Sequence, residues 1–505
     1  MVNCYPTEKE FRKLAGKGNL IPVVAEIQAD LETPVTAFLK VCKKGPAFLL
    51  ESVEQGEKLG RYSFLGTDPR IFIQSRGPMA MLQDEKGRKH LEIQEGPLKA
   101  LEAILCRYRY VPLTHEKDSP RSLPSFCGGV VGFFGYDVVR FFEKLPSRHR
   151  DRFLFPESAF LLIDRFVIFD HLRRSMKIVA LAHVKKNPLA AYREAKKSIR
   201  GILNSLSRPL KMPAPLTLDP AAPLRKVRSN MTQGRFEAKV KRAKRYIRAG
   251  DIVQVVLSQR FEVPFVKDPF QVYRALRSIN PSPYMFYLRL GELTLIGSSP
   301  EIFVQCEKGR VTVRPIAGTR RRGETEREDL ALEKELLASP KERAEHVMLV
   351  DLGRNDVGRV CQPGSVRVKD FMTIERYSHV MHMVSEVAGT LRKGENEFSL
   401  LSATFPAGTV TGAPKIRAME IIDELEEGSR GPYAGCVGYV SFSRCLDSCI
   451  TIRTIVVKGE KAYVQAGAGI VADSNPRLEY KETLNKARAL LQAIACVQGS
   501  KGARP

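Results

Sequence analysis

FLLESVEQGEKLGRYSFLG (Phe48–Gly66) sets short apolar runs between glycines, and GGVVGFFGYD (Gly128–Asp137) does the same. Such runs, closed by turn residues, read as strands and turns. Further along, Ser207–Lys226 holds Pro209, Pro213, Pro215, Pro220 and Pro223. Proline at that density continues neither a helix nor a central strand, so the stretch reads as an extended connector. Beyond it, helical and strand patterns alternate. The chain divides into an N-terminal region 1–206, a Pro-rich linker 207–230, a main region 231–496 and a basic tail 497–505. Strands on both sides of the linker are free to join common sheets.

The 505 residues are 43% apolar and 27% charged, which excludes wholesale disorder and fibrous repeats. Lys and Arg (81) exceed Asp and Glu (56) by 25, a surplus that favours anionic partners without choosing among them. Part of it lies on the helix expected after the linker. Thr232 caps that helix, Phe236, Val240, Ala243 and Ile247 form its apolar stripe, and Gly250 ends it. Its other face carries Lys239, Lys241, Arg242, Lys244, Arg245 and Arg248. No interleaved aromatics or nucleic-acid module accompany them, so the face is solvated or docks an acidic subunit, and no nucleic acid is expected. No apolar stretch approaches the roughly 18 residues of a membrane span. The ten cysteines include no CxxC and read as reduced, mostly buried thiols. With Glu8 and Glu10 near the N-terminus and no export run, a cytoplasmic location is expected.

Two glycine patterns are weak. Around Gly408 and Gly412, Ala413 and Pro414 precede Lys415 and Ile416 follows it, so the Gly-Lys-Ser/Thr of a phosphate loop is absent. Gly128–Gly132 lacks dinucleotide spacing. Carboxylate pairs carry more. Ser339-Pro340-Lys341-Glu342 starts a helix as a capping box, which gives Glu342 a structural role but leaves Glu345, one turn on, without one. A second helix opens at Asn475-Pro476, runs through Leu484, Ala487, Leu491 and Ile494, and sets Glu479, Glu482 and Lys486 on one face. Carboxylates meeting from two helices suit Mg²⁺, which needs an anionic substrate to complete its shell. His379 and His382, at the spacing of one helical turn, lack a third zinc ligand and suit acid/base work. Gly467-Ala468-Gly469, after a strand Ala462–Val464, offers clustered backbone N–H groups. Arg453, in a strand Ile450–Val456, offers a bidentate carboxylate clamp. Together they describe a site for a small dianionic acid and a divalent cation.

Seven motifs then fall in order: GSSPE (Gly297–Glu301), PIAGTRRRG (Pro315–Gly323), RAEHVMLVDLGRNDVGRV (Arg343–Val360), YSHVMHMVSEV (Tyr377–Val387), FPAGTVTGAPK (Phe405–Lys415), AGAGIVADS (Ala466–Ser474) and EYKETLNKA (Glu479–Ala487). The series resembles the chorismate-utilising enzymes, and within them the anthranilate synthase component I family. The resemblance implies that chorismate and ammonia give anthranilate and pyruvate, with Mg²⁺ held by Glu345 and Glu482 and with Glu342 and Glu479 nearby. It implies that Gly318, Thr319, Tyr433, Arg453 and the Gly467–Gly469 backbone fix the two carboxylates of chorismate. His382 and Thr409 fall at catalytic positions. Glu301 becomes the general acid for the departing ring hydroxyl, which requires burial to raise its pKa.

Two positions discriminate within the family. Relatives that add water use a lysine base where this chain has Gln254. The para-aminobenzoate relatives use a lysine nucleophile where it has Ala317. Neither residue here can do that chemistry, so ammonia must attack the ring directly. Glu51 and Ser52 match one segment of the family's L-tryptophan feedback site, and Asn280, Pro283, Tyr284 and Met285 match the other. No Gly-x-Cys-x-Gly nucleophile elbow is present, Cys127 in PSFCGG not supplying one, so a separate glutamine amidotransferase subunit is expected to deliver ammonia within a hetero-oligomer. The expected architecture is α+β: large, mostly antiparallel sheets packed face to face, helices outside, and the site in the cleft.

Overall fold

A computed structural model describes residues 3–52, 60–114, 119, 121–146, 155–210, 215–219, 222–224, 226–377 and 380–499. His379, most of the expected hairpin loop after Ser52, parts of the linker and the tail beyond 499 lie outside the described residues.

Two sheets dominate, of 13 and 12 strands. Neighbouring strands in both are antiparallel, the α+β arrangement expected. Both sheets mix strands from before and after the linker. In the first, Ala47–Glu51 pairs with Tyr62–Thr67 on one side and with Tyr284–Leu290 on the other, Glu51 opposite Met285. In the second, Gly129–Phe134 pairs with Cys436–Ser441. The two halves of the sequence thus share one body.

Strand periodicity explains the layers, since alternate side chains leave opposite faces of a sheet. Phe48, Phe64, Phe286 and Leu288 of the first sheet meet Phe72, Val131, Phe133 and Tyr439 of the second in one core. Their neighbours Leu49, Leu65, Met285 and Tyr287 turn the other way, against helices that contribute Phe11, Phe38, Tyr192, Tyr273 and Ile494. Runs such as AFLLE and GVVGFF are apolar on both faces because both faces are covered. Helix Gln233–Arg248 forms as its pattern requires, capped by Thr232 and burying Phe236, Val240 and Ala243. Part of its basic face is occupied within the chain: Arg235 and Lys239 pair with Glu427, and Arg242 with Glu424. All ten cysteines are free and eight are buried. No helix among the described residues is long and apolar enough to cross a membrane.

Candidate active site

The site lies where one end of each sheet meets a helix. Helix Pro340–Gly358 packs on strands Ile316–Arg321 and Val380–Thr390 of the second sheet, while Pro476–Gly499 packs on Lys461–Ile470 of the first. Both expected helices form, starting at Pro340 and Pro476. Ser339 caps the first, accepting from the Glu342 N–H at 3.4 Å. Glu342 does not return the bond; its carboxylate pairs instead with Arg320 at 3.3 Å. In the second helix Leu484 is exposed and Thr483 takes the buried position, because the helix rests on the glycine-bearing strand through its Thr483, Ala487 and Leu490 face.

The carboxylates act on one another across the gap. Burial, then the negative fields of Glu342 and Glu482, push the Glu345 carboxyl above its usual range, against the pull of Lys341 and Lys486. Burial and Glu482 do the same to Glu479, although Ser474 donates to it. Lys486 pairs with Glu482 at 2.6 Å and also donates to the Gly467 carbonyl at 3.1 Å. Gln254, buried at the start of strand Gln254–Pro264, reaches Glu345 from the opposite sheet with its Nε2 3.5 Å from the carboxylate, and its amide oxygen has no hydrogen bond among the described residues. Among the described residues, no three His, Cys, Asp or Glu groups converge closely enough to cage an ion by themselves. Open carboxylates, with Glu345 and Glu479 raised by burial and the field of Glu482, fit Mg²⁺, which keeps waters and takes part of its shell from the substrate.

Gly467 and Gly469 lie inside strand Lys461–Ile470, not after it. They stand opposite Ser258 and Val256, whose N–H groups point away, to the Glu426 carboxylate and the Thr411 carbonyl. In an antiparallel ladder a directly opposed pair exchanges both bonds or neither, so both glycines turn their N–H groups outward as well. The neighbour on that side, Thr454–Lys458, pairs only as far as Val464. Bare N–H groups at a sheet edge are what an anion needs. A side chain would close the space, for a Cβ on Gly467 would sit 2.6 Å from the Tyr433 hydroxyl and one on Gly469 2.5 Å from Gln254 Nε2. Ala468, between them, is fully buried on the other face.

Arg453 is not in a strand either. It occupies the break between Leu446–Ile450 and Thr454–Lys458 with φ +50. Its guanidinium donates to the Lys486 carbonyl at 3.0 Å. Burial lowers its pKa, and Glu482 and Tyr433 act the other way. Burial holds Tyr433 up to about 12. This buried tyrosine stays a neutral donor.

His382 was expected one helical turn from His379, but it sits on strand Val380–Thr390, opposite Thr319. Its Nδ1 lies 2.9 Å from the Thr319 hydroxyl. Gly318 makes the bulge that permits this, at φ +77, with Glu342 Oε2 3.1 Å from where a Cβ would be. Burial lowers the His382 pKa, so the ring is neutral at pH 7. Ala317, buried beside the bulge, offers no nucleophile. Thr409 lies in the turn Gly408–Val410, beside Glu301. Glu301 is 8% exposed, and burial pushes its carboxyl up to about 8 against Thr409 and Lys486. A carboxyl in that setting keeps its proton at pH 7.

Arg430 escaped the sequence reading. Fully buried, it is held by Glu426, donates to the Val256 and Val410 carbonyls at 2.7 Å each, and lies under the Tyr433 ring. It ties the Thr409 turn to the strand facing the glycines. The only sequence signal was the Glu426/Arg430 spacing of four residues, common on any surface.

The two segments expected to form a feedback site also meet. Glu51, Ser52, Pro283, Tyr284 and Met285 line a separate cleft of about 1330 Å³. Glu51 is engaged by Tyr273 and Arg277, and Tyr284 donates to Asp447 at 2.8 Å. Asn280 faces Ser298 at 3.1 Å rather than the cleft.

An α+β pair of facing sheets, with helix carboxylates opposite an arginine and a glycine edge, defines an enzyme of small anionic acids. A profile described as chorismate binding enzyme matches residues 45–492, and the chain belongs to that family. It is 48% identical to anthranilate synthase component 1 of Acetivibrio thermocellus, over 97% of this chain and 98% of that one. Identity to the Aquifex aeolicus protein of that name is 47%, over 98% of each. The crystal structure of anthranilate synthase component I from Streptococcus pneumoniae TIGR4 superposes with a TM-score of 0.74 at 36% identity, covering 92% of this chain and 99% of that one. The menaquinone-specific isochorismate synthase of Escherichia coli, 18% identical with a TM-score of 0.69 over 96% and 98% of the chains, shares the fold.

Proposed function

We propose that the chain aminates chorismate at the ring carbon ortho to the carboxylate and then eliminates pyruvate, giving anthranilate for tryptophan biosynthesis. Ammonia comes from a separate glutamine amidotransferase subunit. The observation that carries this reading is the pair of residues without a base or nucleophile, Gln254 and Ala317, at positions flanking the carboxylate site. Mg²⁺, held by Glu345 and Glu482 with Glu342 and Glu479 beside them, would neutralise the ring carboxylate and draw electron density from the ring. Arg453, Tyr433 and the Gly467 and Gly469 N–H groups hold carboxylate oxygens. Glu301 protonates the departing hydroxyl, and neutral His382, steadied by Thr319, accepts the ring proton during elimination.

The purified chain, given Mg²⁺, chorismate and ammonium above about pH 8, is expected to release fluorescent anthranilate, whereas glutamine alone gives none. Release of the para isomer would overturn the reading. With His382→Ala, the aminated intermediate is expected to accumulate because elimination slows about 10²-fold or more; unimpaired elimination would remove that role.

L-Tryptophan inhibition is part of the same proposal. The Pro283–Met285 wall connects to the substrate side, because the Ser298 hydroxyl donates to the Asn280 carbonyl and meets the Ser282 hydroxyl at 2.9 Å, while its N–H donates to the Arg453 carbonyl. A ligand that shifts this wall would change chorismate affinity only if it binds the two states unequally. Ser52→Phe fills the cleft and is expected to abolish inhibition by tryptophan with turnover unchanged in its absence. Persistent inhibition in that variant would dismiss the assignment.

A further inference from the structure

Glu301 is buried, and an acid that spends its proton must regain one in every turnover. We propose that Asp356 returns that proton through a cavity the two carboxyls share, an inference that rests on the amination reading above. The cavity, about 50 Å³, is lined by Glu301, Thr409, Thr404 and Asp356 among others. One water needs about 10–15 Å³ of such space, so a short file of waters fits between the carboxyls. Leu349 and Leu352 supply apolar walls, and Arg314 is the other charged residue of the lining.

Asp356 is 7% exposed and projects from helix Pro340–Gly358. Its Oδ2 accepts from Lys415 Nζ at 2.6 Å, and the same ammonium donates to the Thr404 carbonyl at 3.0 Å. The charged groups around the pair are few. Arg359 acts on both, Glu143 acts on Lys415, and these two meet at 3.7 Å toward the surface. Burial pushes Asp356 up to about 6, against Lys415 and Arg359. Glu301 sits higher, at about 8, so transfer from protonated Asp356 to the Glu301 carboxylate runs downhill.

The protons balance. As the ring C–O bond breaks, its electron pair stays on oxygen, Glu301 gives that oxygen a proton, and water leaves. The new C–N bond leaves the attacking nitrogen with one proton too many, which passes to solvent. Asp356 gives its proton along the waters to the Glu301 carboxylate and takes another from solvent. The bland alternative is that Asp356 and Lys415 merely pin the 404–415 loop to the helix.

Rapid mixing separates the two. At pH 7 Glu301 enters the first turnover already protonated, so there D356N is expected to form its first equivalent of aminated product at the parent rate and then run about tenfold slower. L349F, which narrows the cavity and leaves the Asp356–Lys415 pair untouched, is expected to show the same split and carries the test if D356N does not fold. If first and later turnovers slow together, or neither slows, the relay is overturned. Failure of the unmodified chain to aminate chorismate would appear before any variant is tested, and would remove the reaction itself.

Discussion

Glu301→Gln is expected to lower the amination rate by about 10²–10⁴-fold while the chain remains folded. The size follows from what the group must do. A hydroxyl leaves poorly unless it is protonated as it goes, and Glu301 is the buried carboxyl at the Thr409 turn whose pKa of about 8 keeps a proton at working pH. Glutamine keeps the shape and loses the proton. The pH dependence follows from the sign of the shift. The acid form is lost above about pH 8, so the parent rate falls there at fixed free ammonia, and the residual rate of the variant lacks that limb. The parent's stability falls with pH as well. A carboxyl raised from 4.5 to about 8 on folding favours the native state below its unfolded pKa. That advantage drains away as pH rises through 8, when the buried group must ionise. The glutamine variant has nothing to ionise. Above pH 8 it is expected to be more stable than the parent by a few kcal/mol, in order of magnitude. Denaturant unfolding at pH 6 and pH 9 measures this; a gap between the two proteins that does not widen with pH would mean that Glu301 is not held neutral.

The sequence was read best where one residue's chemistry decides. Glu345 and Glu482 were singled out by helix spacing, Gln254 and Ala317 through the resemblance, and Glu345 lies in the field of Glu482 with Gln254 3.5 Å away. Spacing was a poorer guide to local structure. His379 and His382 suggested a helix, but the MHMVSEVAGT run that follows is a strand of β-branched and apolar residues whose alternation buries Met381 and Met383. His382 then lies on the face toward Thr319. Gly467 and Gly469 suggested a loop because glycine weakens strands. Here they lie in a strand where the neighbouring Thr454–Lys458 stops pairing at Val464, and a Cβ would meet Tyr433 and Gln254. Arg453 seemed a strand residue because apolar neighbours flank it; its positive φ is a tertiary effect, fixed by the Ser298 and Lys486 bonds. Arg430 and Asp356 were illegible for another reason. A buried ion pair has the same local signature as a surface one, and only the topology buries it: helix Pro340–Gly358 against the 404–415 loop for Asp356, and strand Gln254–Pro264 beside the Thr409 turn for Arg430.

Arg453→Met is expected to lower kcat/KM for chorismate by about 10²–10³-fold, or roughly 3–4 kcal/mol. A guanidinium largely out of water, with its backbone pinned by Ser298 and one nitrogen pinned by Lys486, is preorganised for a carboxylate, and little entropy remains to be lost when one arrives. Methionine keeps the stem and the packing but leaves a dianionic substrate facing Glu482 without the opposing charge. Arg453→Lys is not expected to rescue it. A lysine ammonium is a single point charge on a longer leash, and it cannot hold the Lys486 carbonyl and a carboxylate in one plane. The kinetic split assigns the contact. If KM alone rises, Arg453 holds ground state and transition state equally; if kcat falls too, its grip tightens as pyruvate leaves. A variant with parental kcat/KM and a lowered unfolding midpoint would show instead that Arg453 only fastens the end of strand Thr454–Lys458 to the last helix, and the second substrate carboxylate would then rest on the Gly467 and Gly469 N–H groups and Tyr433 alone.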